Sequence, residues 1–308
     1  MEKSKSKYNL VTILGPTASG KTAVAAELAA KIGGEVISAD SRQVYRGMDL
    51  GTGKDYEDYI VNEIKVPYHL VDIVDAGYQY NVFEFQRDFL EVFKNIRKRE
   101  VFPVLCGGSG LYIEAVLKNY KLIQVPLNKE LRDNLTGKSL VELISILKKY
   151  KTNLHNISDT VNEKRILRAI EIEEYYQNNL QIDIQMPDIN SLIIGVKFDR
   201  LSRRKRITTR LKQRFDEGMV LEVQKLLDSG ITPKAIIYYG LEYKFITLHL
   251  VGDLSFDQMF EKLNIAIHQF AKRQMTWFRK MEKQGTKIHW LDGYMPMEQK
   301  IDRIISLL

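Results

Sequence analysis

A parallel α/β sheet covered by helices, with an inserted helical lobe, is the fold this 308-residue sequence predicts. Three observations predict it. An apolar run, Tyr8 to Leu14, leads into the glycine-rich octet Gly15-Pro16-Thr17-Ala18-Ser19-Gly20-Lys21-Thr22, and a helical pattern from Thr22 to Ile32 leads out. Strand and helix patterns with short connections then alternate through the first third, which predicts a parallel sheet covered on both faces. From about Asn119 to Pro187 the chain becomes more polar and mostly helical, before the buried-type strand Leu192 to Val196 resumes the sheet.

Each element has its own signal. Glu35 to Ala39 reads as the second strand. Val82, Phe85, Phe89, Val92, Phe93 and Ile96 recur at three- and four-residue steps, the mark of an amphipathic helix. Val101 to Cys106 is a short strand ending in Gly107-Gly108, and Gly110 to Leu117 is helical. In the lobe, Leu140, Leu143, Ile144 and Leu147 form one stripe, and Ile166, Ala169, Ile170 and Ile172-Glu173 fall in another helix. Long helices are expected at Leu201 to Phe215, Val220 to Leu227 and Phe256 to about Lys283, then a strand, Lys287 to Leu291, and a terminal helix. Phe256, Phe260, Leu263, Ile267 and Phe270 make the expected core stripe of the longest helix. The core thus comprises residues 1–118 and 191–308, and the lobe residues 119–190.

Composition narrows the class. Hydrophobic residues make up 44% and charged residues 28%, an ordinary globular balance. No apolar stretch has the length of a membrane span. The polar start, Met1 to Lys7, runs straight into the first strand, so no signal peptide is expected. The single cysteine, Cys106, rules out a disulfide within the chain and fits a reducing cytoplasm. The five histidines lack metal-ligand spacing. A net charge of +7 is compatible with a polyanionic partner without identifying one.

The octet fits the phosphate-binding P-loop pattern of Gly, four residues, then Gly-Lys-Ser/Thr. Its amides curl around phosphate oxygens, the helix N-terminus adds partial positive charge, Lys21 adds a full one, and Thr22 can hold Mg²⁺. Asp40, in Ser38-Ala39-Asp40-Ser41, follows the second strand at the edge that faces the ligand crevice. It reads either as a functional carboxylate, binding Mg²⁺ or accepting a proton, or as an Asx-turn or helix cap. Ser109, in Gly107-Gly108-Ser109-Gly110, reads as an anion donor or as part of a tight turn. A nucleotide-hydrolysing protein would more often carry an Asp there. Arg203-Arg204-Lys205-Arg206, Arg210, Lys212 and Arg214 crowd one helix, and Lys272, Arg273, Arg279 and Lys280 surround Thr276 and Trp277 on another. Such mixtures suit a phosphate backbone plus an unstacked base. They equally describe a solvated charged face, and Trp277 could belong to the core.

In this order the motifs resemble those of the tRNA dimethylallyltransferases, also called tRNA isopentenyltransferases, over most of the chain. The likeness rests on the octet, on Ser38-Ala39-Asp40-Ser41-Arg42-Gln43-Val44-Tyr45, on Gly47-Met48-Asp49-Leu50-Gly51-Thr52 and on His69-Leu70-Val71-Asp72-Ile73. It continues through Gly107-Gly108-Ser109-Gly110-Leu111-Tyr112, Lys164-Arg165-Ile166-Leu167-Arg168-Ala169-Ile170-Glu171, Asp199-Arg200, Arg206-Ile207 and Arg210. It ends with Ala271-Lys272-Arg273-Gln274-Met275-Thr276-Trp277-Phe278. The resemblance implies transfer of a dimethylallyl group from its diphosphate to the exocyclic amine of the adenosine 3′ of the anticodon in tRNA. It implies that the octet, with Mg²⁺, holds the donor diphosphate rather than ATP. It makes Asp40 the general base, Ser109 a hydroxyl near the reacting centre, and Lys21 and Arg210 diphosphate contacts. It assigns tRNA contact to Asp40, Ser41, Arg42 and Gln43, to Lys164 through Arg168, and to Lys272 through Arg279. A cytoplasmic monomer acting on the anticodon stem-loop, without membrane contact, is the corresponding expectation. Two departures stand out. The family usually has Thr where Ser109 stands, and its Ile-Gly-Tyr-Lys/Arg-Glu stretch is here Tyr238-Tyr239-Gly240-Leu241-Glu242-Tyr243.

Three rivals remain at this stage. A P-loop kinase would release ADP. An adenylate isopentenyltransferase would act on free nucleotides and would not need the basic, aromatic C-terminal helix. An RNA-binding protein with a relic loop would not need Asp40, Ser109 and Arg210 beside that loop.

Overall fold

Strand β1 (Leu10–Leu14) is buried at every residue, as a strand covered on both faces must be, and it delivers the chain into the octet. The structure, a computed structural model, describes residues 7–150, 162–179 and 186–308. The expectations for residues 1–6, and for the lobe at 151–161 and 180–185, lie outside the described residues. Helix α1 (Lys21–Ile32) and strand β2 (Gly34–Ser38) follow. A 3₁₀ turn (Tyr56–Tyr59) precedes the hairpin β3 (Ile60–Val61) and β4 (Ile64–Lys65), and the short strand β5 (Tyr68–His69). Then come α2 (Val82–Lys98), β6 (Phe102–Gly107) and α3 (Gly110–Leu117). Helices α4 (Lys129–Leu135), α5 (Leu140–Tyr150) and α6 (Glu163–Asn178) precede β7 (Ser191–Lys197). The remainder is α7 (Arg200–Asp216), α8 (Met219–Asp228), α9 (Pro233–Ile237), α10 (Leu241–Leu250), α11 (Phe256–Lys283), β8 (His289–Asp292) and α12 (Met297–Ile305).

The main sheet has the order β5-β2-β6-β1-β7-β8, and every pair in it is parallel. β1 is flanked by β6 and β7, with Val11 opposite both Val104 and Leu192. The chain divides into two compact units, Met1–Tyr120 with Pro187–Leu308, and Lys121–Met186. The smaller unit has its own core of Leu135, Leu143, Leu147, Ile166 and Ile170. Among the described residues no helix is long and apolar enough to cross a membrane.

The long helices start where side chains satisfy their first amides. Asn81 and Glu84 form a capping box on α2, and Ser255 and Gln258 form another on α11. Phe85, Phe89, Phe93 and Ile96 bury one face of α2. The seam of α11 differs from the expected stripe. It consists of Met259, Leu263, Ile267, Ala271, Met275, Phe278 and Met281, while Phe256 and Phe270 are 47% and 39% exposed. Phe256 sits in the first turn against Phe215, and Phe270 lies to one side of the seam, on a cavity wall.

A charged tie fixes β2 to its neighbours. Glu35 is 7% exposed and accepts from both Arg99 guanidinium nitrogens, at 2.5 and 2.7 Å, with His69 Nε2 at 2.8 Å. Arg99 first, and then His69 against the cost of burial, holds the carboxyl down to about 2. A depressed carboxylate stabilises the fold above its unfolded value of 4.5, and that stability is lost as pH falls towards about 2. Unfolding experiments across this window should show a loss of up to about 3 kcal/mol. The Glu35→Gln variant should lack this part of the pH dependence.

Candidate active site

The C-terminal ends of β1, β2 and β6 open into one cavity of about 650 Å³. This is the crevice that a parallel sheet offers beyond its carboxyl edge. Thr17, Lys21 and Thr22 enter it from the loop after β1, Asp40 to Gln43 from the loop after β2, and Gly108 to Tyr112 from the loop after β6. Arg210 and Arg214 enter from α7, and Phe270, Arg273, Gln274 and Trp277 from α11.

The loop after β1 is held from outside. Thr17 N–H donates to Gln274 Oε1 at 2.9 Å, and Gln274 Nε2 donates to the Gly108 carbonyl at 3.0 Å. Arg206 Nε donates to the Ala18 carbonyl at 3.0 Å. Helix α1 is preceded by Gly20 at its N-cap, with no side-chain cap and no acidic residue in its first turn. Its opening amides meet no side-chain cap, unlike those of α2 and α11. Ser19 Oγ is buried beside them without a hydrogen-bond partner among the described residues. Burial lowers the pKa of Lys21 below the usual lysine range, although Cys106 and Asp40 oppose the shift. Beneath it, burial pushes the Cys106 thiol up to about 12.

Asp40 realises the Asx-turn. Its Oδ1 accepts from Arg42 N–H at 3.0 Å, while Oδ2 has no hydrogen-bond partner among the described residues. The turn therefore orients the carboxylate in the cavity without using it up. Ser109 Oγ accepts from Ser41 N–H at 3.1 Å and donates to Ser41 Oγ at 3.2 Å, which ties the β6 loop to the β2 loop. Gln43 Nε2 donates to the Gly53 carbonyl at 3.0 Å and Oε1 accepts from Ser38 Oγ at 2.9 Å, so this residue braces the loop. Arg42 lies over the Tyr238 ring, 5.4 Å from its centroid.

Arg210 and Arg214 share Asp55 as an ion-pair partner, at 3.6 and 3.2 Å. Burial, then the nearby Arg214 charge, lowers the Arg210 pKa. Burial raises Glu242, on the same wall. It also lifts Asp58 to about 6, helped by Asp55 and opposed by Arg210 and Lys21.

Trp277 is half-buried. A methyl at Gly110 would come within 2.5 Å of its ring, so only glycine lets α3 begin there. Lys280 sits 5.2 Å from the ring centroid. The indole is a cavity wall, a placement between the core and surface readings.

Several expected RNA contacts change place. Met275, Phe278 and Ile166 are buried in hydrophobic cores, because they fall on the inward faces of α11 and α6. Gln274 is 7% exposed and spent on the two loops. Lys272 and Arg279 line a second cleft of about 1040 Å³ with Arg203 and Arg204, whereas Arg273 and Trp277 face the first cavity. Thr276 is exposed. In the lobe, Lys164 and Arg165 are exposed and Leu167 is half-buried. Arg168 bonds Glu171 at 3.0 Å and the Val125 carbonyl at 2.7 Å.

The sequence reading missed the bracing roles of Gln274 and Arg206, and it missed Asp55 and Glu242 as wall residues. Gln274 and Arg206 sit within quoted motifs, yet spacing alone does not tell a residue that touches ligand from one that holds a loop.

A parallel sheet feeding a glycine-rich loop, with a carboxylate on the next strand end, gives the chain a P-loop-type α/β architecture. The comparisons make this specific. The IPP transferase family model matches residues 43–281. A tRNA dimethylallyltransferase 2 of Phocaeicola vulgatus is 61% identical over 98% of each chain, and one of Bacteroides fragilis is 61% identical over 96% of each. Among solved structures, the tRNA isopentenylpyrophosphate transferase of Bacillus halodurans is 32% identical, with a TM-score of 0.70, over 98% of this chain and 95% of that one. The chain belongs to the tRNA dimethylallyltransferase family of prenyl transferases.

Proposed function

We propose that this chain transfers a dimethylallyl group from dimethylallyl diphosphate to the exocyclic amine of the adenosine 3′ of the anticodon in tRNA, releasing diphosphate. The observation that carries the reading is that the Asp40 carboxylate and the Lys21–Thr22 end of the phosphate loop line one cavity. The donor diphosphate sits on the α1 amides with Lys21 and Arg210 around it, and its prenyl chain points towards Asp40. The adenine amine is a weak nucleophile, because its lone pair is delocalised into the ring. Attack on the allylic carbon makes its N–H acidic, and Asp40 takes that proton as the C–O bond to diphosphate breaks. Ser109 fixes the Asp40–Ser41 loop through Ser41. The base must leave its stack, at a cost of a few kcal/mol that a single-stranded loop reduces. Tyr238, Phe270 and Trp277 offer it aromatic walls.

Mg²⁺ fits this site as an ion shared with the ligand. Among the described residues no group of three or more His, Cys, Asp or Glu could hold a metal. Mg²⁺ bound to a diphosphate needs only one or two protein oxygens. Thr22 supplies a hydroxyl on the cavity wall, and the unpartnered Ser19 hydroxyl is close by. When bound, the ion supplies charge that offsets the leaving diphosphate. The same reading makes the protein a cytoplasmic monomer that takes the anticodon stem-loop, without a membrane partner.

Incubation with labelled dimethylallyl diphosphate and total tRNA, followed by nucleoside analysis, tests the reading. Label should appear in a prenylated adenosine, and label confined to free nucleotides or ADP formed from ATP would replace it. Lys272→Ala with Arg273→Ala should weaken tRNA binding and reduce the slope of log affinity against log salt by about 1 to 2. An unchanged slope would return both residues to a structural role.

A further inference from the structure

We infer that Glu222, on α8 outside the cavity, is a positioning residue that sets the donor-diphosphate end of the site through the segment Asp49 to Asp55. The inference rests on the proposed donor site. Its basis is a carboxylate whose hydrogen-bonding capacity is filled by one loop and one tyrosine. Glu222 Oε2 accepts from Asp49 N–H and Leu50 N–H, each at 2.8 Å. Glu222 Oε1 accepts from Gly51 N–H at 3.0 Å and from the Tyr243 hydroxyl at 2.7 Å. Three successive amides turned onto one carboxylate form an anion nest filled from within the protein.

The nest is the start of a tight turn. Gly53 N–H and Lys54 N–H both donate to the Asp49 carbonyl, at 2.9 and 3.0 Å. Tyr243, fully buried on α10, packs so closely that a methyl at Gly51 would come within 2.7 Å of its ring. The other end of the turn touches the site. Arg210 and Arg214 lie against Gly53, within 2.5 Å of where a methyl there would stand, and both pair with Asp55. Gln43 Nε2 holds the Gly53 carbonyl. On the inner side, Lys54 Nζ donates to the Tyr45 carbonyl at 2.6 Å and pairs with Asp49 at 2.8 Å and with Asp72. Glu222 therefore fixes one end of a seven-residue strut whose other end sets Arg210 and Arg214. It touches no reacting atom in this account.

Glutamine in place of Glu222 keeps the shape but has one acceptor oxygen, and its amide group would face N–H donors. The strut should loosen and the two guanidiniums should lose their common rest. Catalytic geometry is steep, with a displacement of about 1 Å costing up to about 10²-fold. In Glu222→Gln, KM for dimethylallyl diphosphate should rise by about 10-fold or more, with KM for tRNA within about twofold of wild type. Calorimetric titration with inorganic pyrophosphate should show the same weakening without any transfer step. Exchange of the Asp49 to Gly51 amides should quicken. Tyr243→Phe removes one bond to Glu222 while keeping the buried ring, and it should give a smaller rise of the same kind. Should Glu222→Gln fail to fold, Tyr243→Phe decides the matter. Unchanged donor KM and pyrophosphate affinity in the folded variant, or equal changes in both substrates' KM, overturn the positioning role. Wild type that binds pyrophosphate without prenylating tRNA would overturn the functional reading instead.

Discussion

Asp40→Ala should lower turnover by at least about 10²-fold while tRNA still binds, the scale expected for losing a general base. The structure suggests a sharper companion. Because Asp40 Oδ1 accepts from Arg42 N–H, alanine also removes the turn that shapes the loop. Asparagine retains an oxygen for that bond and cannot take the proton. Asp40→Asn should therefore leave the fold and tRNA affinity near wild type and still lose most of the turnover. Single-turnover rates with pre-bound tRNA, beside thermal unfolding, separate the two effects. Near-normal turnover in Asp40→Asn would remove the carboxylate from the proton-accepting role.

Lys21→Ala should lower kcat by about 10²–10³-fold, equivalent to the roughly 3–4 kcal/mol that one preorganised donor contributes to a developing oxyanion. The ammonium is half-buried, with the buried Cys106 beneath it and Asp40 close enough to perturb it. On the proposed reading, burial lets its charge act on the departing diphosphate with little screening by water. Arginine is not a substitute. Its planar fork is larger than a point ammonium, and this lysine already sits in a confined place. Steady-state kinetics at saturating tRNA should find Lys21→Arg closer to alanine than to wild type. A Lys21→Ala enzyme within threefold of wild-type kcat would place the diphosphate elsewhere.

Much of this architecture was legible because its signals are local. β1, β2, β6 and β7 are short apolar runs buried along nearly their whole length, and the phosphate loop is punctuated by its own glycines and lysine. The elements that escaped are those defined by their neighbours. β5 is two residues long and exists because Tyr68 and His69 pair with Val36 and Ile37. α9 and α10 flank Gly240, whose φ of 142° breaks the helical pattern between them. The misplaced stripe of α11 shows the same limit. Phe256 and Phe270 are as apolar as Leu263, and only the partner helices and the cavity decide which of them is covered.

The candidate site was legible as chemistry and less so as construction. Asp40, Lys21 and Ser109 could be singled out by residue type and place. That Gln274 would hold two loops, that Arg206 would grip a carbonyl, and that Met275 and Phe278 would turn inward depends on tertiary neighbours. Phe278 and Arg279 stand side by side in the sequence, and nothing in that spacing tells that one is buried and the other exposed.

The solitary thiol beneath the loop after β1 has a practical corollary. Held protonated at neutral pH and closed off from solvent, it is a poor target for maleimides, iodoacetamide or peroxide. A fluorophore can therefore be attached through a cysteine introduced at an exposed position of the lobe or of α11, with no need to replace the native thiol first. Paired labels of that kind would follow tRNA docking in real time on otherwise unaltered protein.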